Sequence, residues 1–273
     1  MVIHRDSALL LAAMEEAAKE AGKVQMAEFR RRPGGWGDLK AARDLVSFVD
    51  LESEKAIRAV LTRALPGAAF YGEETEKTLG PGATWVVDPL DGTTNYLSGF
   101  DYFSVSIALW TEEGTELALI YKPSDGELFT AERGKGAWSR GQRLPQATRL
   151  DPLSALIGTG TPYRTPETTD AFFESTRRVL ASCRDIRRTG SAALDLSYLA
   201  AGYLQGFWEV DLQPYDVAAG LLMLSETGHP FSSFRGEKYK PFTHRSFVTG
   251  RPGVFETLQK IACEEYKKID FID

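Results

Sequence analysis

The stretch 85-WVVDPLDGTTNYLSGF-100 sets the terms for the rest of this chain. The apolar run Trp85-Val86-Val87 reads as a buried strand ending at Asp88. Pro89 pushes Asp88 out of the α region, the chain turns, and Asp91 can swing back beside Asp88. Two carboxylates held that close cannot both stay ionised without a large penalty. Between Lys77 and Lys122 there is no lysine or arginine, so either one acid is protonated or a cation sits between them. A hard divalent ion is the simplest answer. Mg²⁺ suits an all-oxygen site that keeps positions for water and phosphate, and the Leu90 carbonyl offers a further ligand. Gly92-Thr93-Thr94-Asn95 reads as a helix N-terminus whose N–H groups favour an anion. A metal beside such a helix end makes a phosphate site. On these residues alone a plainer reading stays open: a strand end followed by an Asx turn and a helix cap.

Further acids sit in suggestive places. In 70-FYGEETE-76, Glu73 and Glu74 follow a strand-like Phe70-Tyr71 and a glycine. In 207-FWEVDLQPYDVAAG-220, Asp216 opens a helix of small residues, where an acid also complements the helix dipole. Glu209 is a lone acid among Phe207, Trp208 and Val210, read either as a hydroxyl acceptor or as part of an exposed strand face.

Working outward, Leu10, Ala13, Ala17, Ala21 and Val24 recur at helical spacing, and Arg32-Pro33-Gly34-Gly35 stops that helix. A second helix is expected after Asp50, a good N-cap, running to Pro66-Gly67. Strand-like runs at 103–110, 115–122, 127–131 and 136–139, separated by turn residues, predict an antiparallel meander. Gly134-Lys135-Gly136 is one of those turns and not a phosphate loop, because no G-K-[ST] opens a helix there. From about residue 150 strands and helices alternate. Strands are expected at 154–159, near Ile186, at 207–211 and at 246–250, with helices at 167–182, 191–201, 215–226 and 253–268. The chain thus divides into residues 1–147, a helix pair plus antiparallel sheet carrying most of the candidate ligands, and residues 148–273, an α/β half carrying Asp216. A site between the halves is the default.

The composition excludes several classes. A formal net charge of −6 and a pI near 5.3 argue against a nucleic-acid surface. The run Arg30-Arg31-Arg32 reads as a solvated helix C-terminus. The apolar run at 9–14 is cut off by Glu15 and Glu16, and no run approaches the length of a membrane span, so no signal peptide and no membrane partner are expected. Cys183 and Cys263 fit no metal or redox spacing, which points to a reducing compartment and a cytoplasmic protein.

Taken together, these residues resemble the inositol monophosphatase family of Mg²⁺-dependent, lithium-sensitive phosphatases over nearly the whole chain. The segment from Trp85 to Asn95 keeps D-P-x-D-G-T-x-N intact, Gly72-Glu73-Glu74 matches upstream, and Pro214 to Gly220 matches a later signature. Tyr215 stands where that signature has tryptophan, and Gly228-His229 where the family has a glycine pair. The resemblance implies a layered αβαβα sandwich of the sugar-phosphatase type and a homodimer. It also implies two to three Mg²⁺ per site, held by Glu73, Asp88, Asp91, Asp216 and the Leu90 carbonyl. Thr93, paired with Glu73, would orient a metal-carried water for in-line attack, with no phosphoenzyme. The N–H groups of Gly92 and Thr93 would cradle the phosphate. Gly190, Ser191, Ala192 and Glu209 would meet the alcohol, together with Asp91 and Asp216, and Lys40 would belong to a mobile loop over the third metal.

The reaction implied is hydrolysis of a small phosphomonoester, inositol 1-phosphate or a related sugar or polyol phosphate. Histidinol phosphate, fructose 1,6-bisphosphate, adenosine 3′,5′-bisphosphate and NADP are the alternatives within the class. Arg164 or Arg187-Arg188 would be the source of extra cations for the larger ones. A non-catalytic metal-binding protein is the alternative outside it.

Overall fold

Asp6 caps the first helix, α1 (Ser7–Glu28), by accepting the Ala8 N–H at 2.9 Å. Small residues at 17, 18 and 21 let α1 lie close against α2 (Leu39–Ala64). The computed structural model describes residues 6–31, 39–75, 77–267 and 269, and in α2 the side chains from Phe48 onward. α2 corrects one expectation. It does not begin after Asp50 but is already helical at Leu39, so Asp50 is an interior residue and caps nothing. Asp50, Glu54, Ile57 and Leu61 follow one another at helical spacing, and all four are buried. Two acids therefore lie on the inward stripe of α2. Lys40 falls in the first turn of α2; its side chain lies outside the described residues.

The meander forms as expected. Strands β1 (Ala69–Gly72), β2 (Thr84–Asp91), β3 (Ser104–Thr111), β4 (Gly114–Lys122), β5 (Glu127–Glu132), β6 (Gly136–Ser139) and β7 (Gln142–Arg143) make one sheet in chain order. β1 pairs parallel to β2, and the other neighbours are antiparallel. The short helix α3 (Thr93–Ser98) follows β2 directly. Side chains alternate along β2. Trp85 and Val87 join the core beneath α1 and α2, whereas Val86 joins the core on the other face.

The second sheet contains β8 (Leu156–Thr159), β9 (Asp185–Arg187), β10 (Gly206–Val210), β11 (Phe231–Ser232) and β12 (Ser246–Gly250), in the order β11-β12-β10-β8-β9. Its helices are α4 (Thr169–Leu180), α5 (Ala192–Ala200), α6 (Pro214–Glu226) and α7 (Val254–Tyr266). Pro214 through Leu224 of α6 are buried without interruption. The cause is position: α5 and α6 are sandwiched between the sheets, packing on Ala108, Ala118 and Ile120 of one and Phe207 and Phe247 of the other. α4 and α7 cover the far face of the second sheet. The layers run α1/α2, sheet, α5/α6, sheet, α4/α7, which is an αβαβα sandwich.

α6 ends at Gly228 (φ 72°). The Gly228 N–H donates to Ser225 O at 3.1 Å and the His229 N–H to Leu224 O at 2.9 Å, a Schellman cap. His229 is buried there, which pushes its pKa down to about 4. Thirteen residues separate it from Asp216, roughly 20 Å of helix, so this departure from the family pattern lies at the far end of α6 from the cavity.

Candidate metal and phosphate site

The turn between Asp88 and Asp91 is a β-bulge. Asp88 pairs with Ser106 and Asp91 with Ser104, so Pro89 and Leu90 oppose a single residue of β3. The Leu90 N–H donates to Asp88 Oδ1 at 2.9 Å, which is the Asx turn of the plainer reading. That turn is also what brings the second acid round beside the first. Gln25 on α1 fixes the bulge by donating from Nε2 to the Pro89 carbonyl at 2.6 Å. Gly92 follows in the left-handed region (φ 97°), and a Cβ there would stand 2.9 Å from the Tyr102 carbonyl. No other residue fits both the dihedral and the space.

Asp216 arrives from the opposite half, in the first turn of α6. One of its oxygens accepts the Gln213 N–H at 2.7 Å and closes a capping box. Carboxylate oxygens of Asp88, Asp91 and Asp216 lie within 4.8 Å of one another. Glu73, in the turn after β1, hydrogen-bonds to Asp88. Burial is the first cause of every shift here; like charge adds to it at Glu73, Asp88 and Asp216, whereas at Asp91 the hydrogen bonds from Ser191 and the Ala193 N–H work against it. Asp91 is pushed up to about 6 and Asp216 to about 7, while Asp88 is held well above the usual carboxylate range and Glu73 is raised. The field of Arg164 offsets part of this at Glu73, Asp91 and Asp216. An all-oxygen donor set whose members each resist ionisation fits a hard divalent cation.

The acids open onto a cavity of about 380 Å³ lined from both halves. The first turn of α3 reaches it through Gly92, Thr93 and Thr94. The Thr93 hydroxyl donates to the Leu90 carbonyl at 3.0 Å. Across the cavity, Ser191 Oγ donates to Asp91 Oδ2 at 2.5 Å and the Ala193 N–H donates to the same oxygen at 2.8 Å. The N-terminus of α5 thus fixes one oxygen of Asp91. Gly190 and Ala192 line the wall on either side of Ser191. The Asn95 amide donates to the Tyr102 carbonyl (2.7 Å) and the Thr189 carbonyl (2.8 Å), tying α3 to this segment. Glu209 is half-buried on β10 with its carboxyl against Gly160. Burial, then the charge of Asp216, holds it well above its ordinary value. Arg164 and Arg188 also line the cavity, whereas Arg187 turns to Asp185. Tyr215, at the tryptophan position, is buried behind the site; its carbonyl accepts from Ser106, and the Lys77 ammonium stands 5.2 Å from its ring centre.

Four acids of the cavity wall, Asp50, Glu74, Asp195 and Asp211, are given no site role by the sequence, and two of them, Asp50 and Asp195, are buried. Asp50 is pushed to about 8 by burial and by Glu74 and Glu73. Asp195 is pushed to about 7 by burial, against hydrogen bonds from Thr189 (2.6 Å) and Tyr102 (2.8 Å). The Asp50 signal was present: it falls in register with the apolar stripe of α2. Asp195 lies within the apolar run 192-AALDLSYLA-200 and carried a similar signal.

Five alternating layers around an oxygen-only acidic cluster define a class of metal-binding αβαβα proteins. The chain belongs to the inositol monophosphatase family, whose model matches residues 6–267. It is 39% identical over 254 residues to an inositol-1-monophosphatase of Rhizobium meliloti, covering 92% of this chain and 95% of the relative. It is 36% identical over 244 residues to Nus factor SuhB of Escherichia coli, covering 89% and 91%. Among solved structures, the extragenic suppressor protein suhB of Bartonella henselae superposes with a TM-score of 0.80 at 35% identity, covering 93% of this chain and 98% of the other.

Proposed function

We propose that this protein hydrolyses a small phosphomonoester with the help of Mg²⁺, and that inositol 1-phosphate or a related polyol phosphate is the substrate. One observation carries the reading: oxygens of three acids from two halves of the chain, two of them buried and Asp91 half-buried, converge within 4.8 Å, in the same cavity as the first turn of α3. The relative named inositol-1-monophosphatase supports it.

In this reading Glu73, Asp88, Asp91, Asp216 and the Leu90 carbonyl hold the metal. Bound Mg²⁺ supplies a nucleophilic water at neutral pH and neutralises charge on the phosphate. The residues of the chain do the rest. Ser191 and Ala193 keep Asp91 turned toward Asp88 and Asp216. The Gly92 and Thr93 N–H groups receive phosphate oxygens. The Thr93 oxygen, its own hydrogen on the Leu90 carbonyl, would accept a hydrogen bond from the attacking water and orient it, and the Glu73 carboxylate would take up the proton. Glu209, with the 190–192 wall, accepts hydroxyls of the alcohol, and Arg164 faces the incoming anion.

Phosphate release from a panel of phosphomonoesters, with and without Mg²⁺, tests this. Release should require Mg²⁺, vanish in Asp91→Asn, and be highest for inositol 1-phosphate among the esters tried. Equal rates on all esters would defeat the polyol assignment. Absence of release from every ester would favour a second reading, a non-catalytic metal-binding protein, which draws its support from relatives named Nus factor.

A further inference from the structure

Among the described residues, Glu54 is the most deeply buried acid outside the cavity wall, at 1% exposure. It lies one helical turn after Asp50 on α2, and its carboxylate faces the turn that carries Glu73. Oε2 accepts the Glu74 N–H at 3.1 Å, and Oε1 accepts the Thr75 hydroxyl. Thr75 in turn accepts from Arg58 Nη2 at 2.9 Å, and the Arg58 guanidinium lies 4.0 Å from the ring centre of Phe70 at the end of β1. The fit at Gly72 is independent of these bonds: a Cβ there would stand 2.2 Å from Glu54 Oε2. The glycine before Glu73 is the space in which the Glu54 carboxylate sits.

We propose that Glu54 is a positioning residue that holds the 72–75 turn against α2 and so delivers the Glu73 carboxylate to Asp88. The proposal rests on the metal-site reading above. Asp88 and Asp91 are fixed by their bulge, and Asp216 by its capping box. Glu73 is anchored neither by a bulge nor by a capping box: the β1–β2 ladder ends one residue before it, at Gly72 and Val87, and among the described residues the only bridge that closes the turn beyond is that between Tyr71 and Lys77. A buried carboxylate accepting one N–H and one O–H supplies that anchor through charge-assisted bonds. Groups that orient a metal ligand in this way typically alter metal affinity about 10-fold to 100-fold when removed.

Mn²⁺ binding followed by electron paramagnetic resonance on the full chain tests the proposal without relying on turnover. Glu54→Ala should weaken Mn²⁺ binding by about 10-fold or more and raise the Mg²⁺ concentration for half-maximal phosphate release in parallel, with turnover at saturating Mg²⁺ largely kept. Glu54→Gln, which retains one acceptor, should fall between Ala and wild type. Thr75→Val removes one donor from the exposed side of the turn without emptying the core, and should shift binding in the same direction by less. Glu52→Gln, on the exposed face of the same helix, should bind as wild type does. Unchanged Mn²⁺ isotherms in Glu54→Gln and Thr75→Val, whatever happens to Tm, would reduce Glu54 to a packing residue and overturn the proposal. Loss of turnover at saturating metal with unchanged affinity would overturn it too. A wild-type protein that binds no Mn²⁺ would instead defeat the metal-site reading itself.

Discussion

Two groups of acids in this molecule make an instructive pair. On the outer layer, Arg178 of α4 donates to Glu264 at 2.6 Å and to Glu265, both on α7. The Arg178 bond holds Glu264 below its usual range, as water and a matching cation dictate. In the cavity the oxygens of Asp88, Asp91 and Asp216 lie within 4.8 Å of one another, and every one of these acids is raised. The difference lies in burial and in the neutralising partner. On the surface the chain supplies its own cation; in the cavity Arg164 offsets only part of the charge, and protons or an added ion must do the rest. An acidic cluster therefore points to a ligand only where burial forces the question.

The sharpest way to break this contrast is at the ligands. Asp91→Asn should lower kcat/KM by more than about 100-fold, beyond what is commonly lost when only a residue behind a metal ligand is changed, while circular dichroism stays native. Near-native turnover would show that the cluster is not the reaction centre. The next effect is on pH. The cavity acids have folded values of about 6 for Asp91, 7 for Asp216 and Asp195, and 8 for Asp50, all above their ordinary 3.8. The folded state thus binds their protons more tightly than the unfolded chain. Their contribution is fully present below the ordinary carboxylate value and is lost as pH rises through these folded values. In EDTA, Tm should fall between about pH 5 and pH 8, and saturating Mg²⁺ should remove the fall. A pH-independent Tm in EDTA would contradict burial and like charge as the origin of the shifts.

A smaller effect is expected at the alcohol side. Glu209→Gln should raise KM for inositol 1-phosphate by up to about 10-fold, the weight of one hydrogen bond, and leave an ester without hydroxyls little changed. Equal losses on both esters would make Glu209 a structural acid. The smallest change belongs to the outer cluster. Arg178→Ala should shift Tm by no more than about 3 °C, because exposed ion pairs contribute little. A loss comparable to that of a cavity variant would erase the distinction between the two groups.

Much of the site was legible because its signals are local. Asp88, Pro89 and Asp91 specify a bulge and a turn within four residues, and Gly92 is demanded by the left-handed step that follows. The meander was legible for the same reason, since turn residues punctuate it at short intervals. The start of α2 was not, because Asp50 is a competent N-cap by composition, whereas the helix is already formed at Leu39. Asp50 then becomes a buried acid of the cavity wall. Gln25 and Glu54 were not legible either, because each has its partner distant in sequence: Pro89 for Gln25 and the 74–75 turn for Glu54.

The sequence by itself determined where acids occur, which of them sit on turns and helix starts, and the family to which the chain belongs. The tertiary structure decided which acids face one another. That division follows from the range of the forces: turn and capping preferences act over a few residues, whereas burial and mutual repulsion arise only once segments far apart in the chain have closed on one another. The carboxylate of Asp216 meets Asp88 and Asp91 only because α6 is wedged between two sheets beside the bulge of β2.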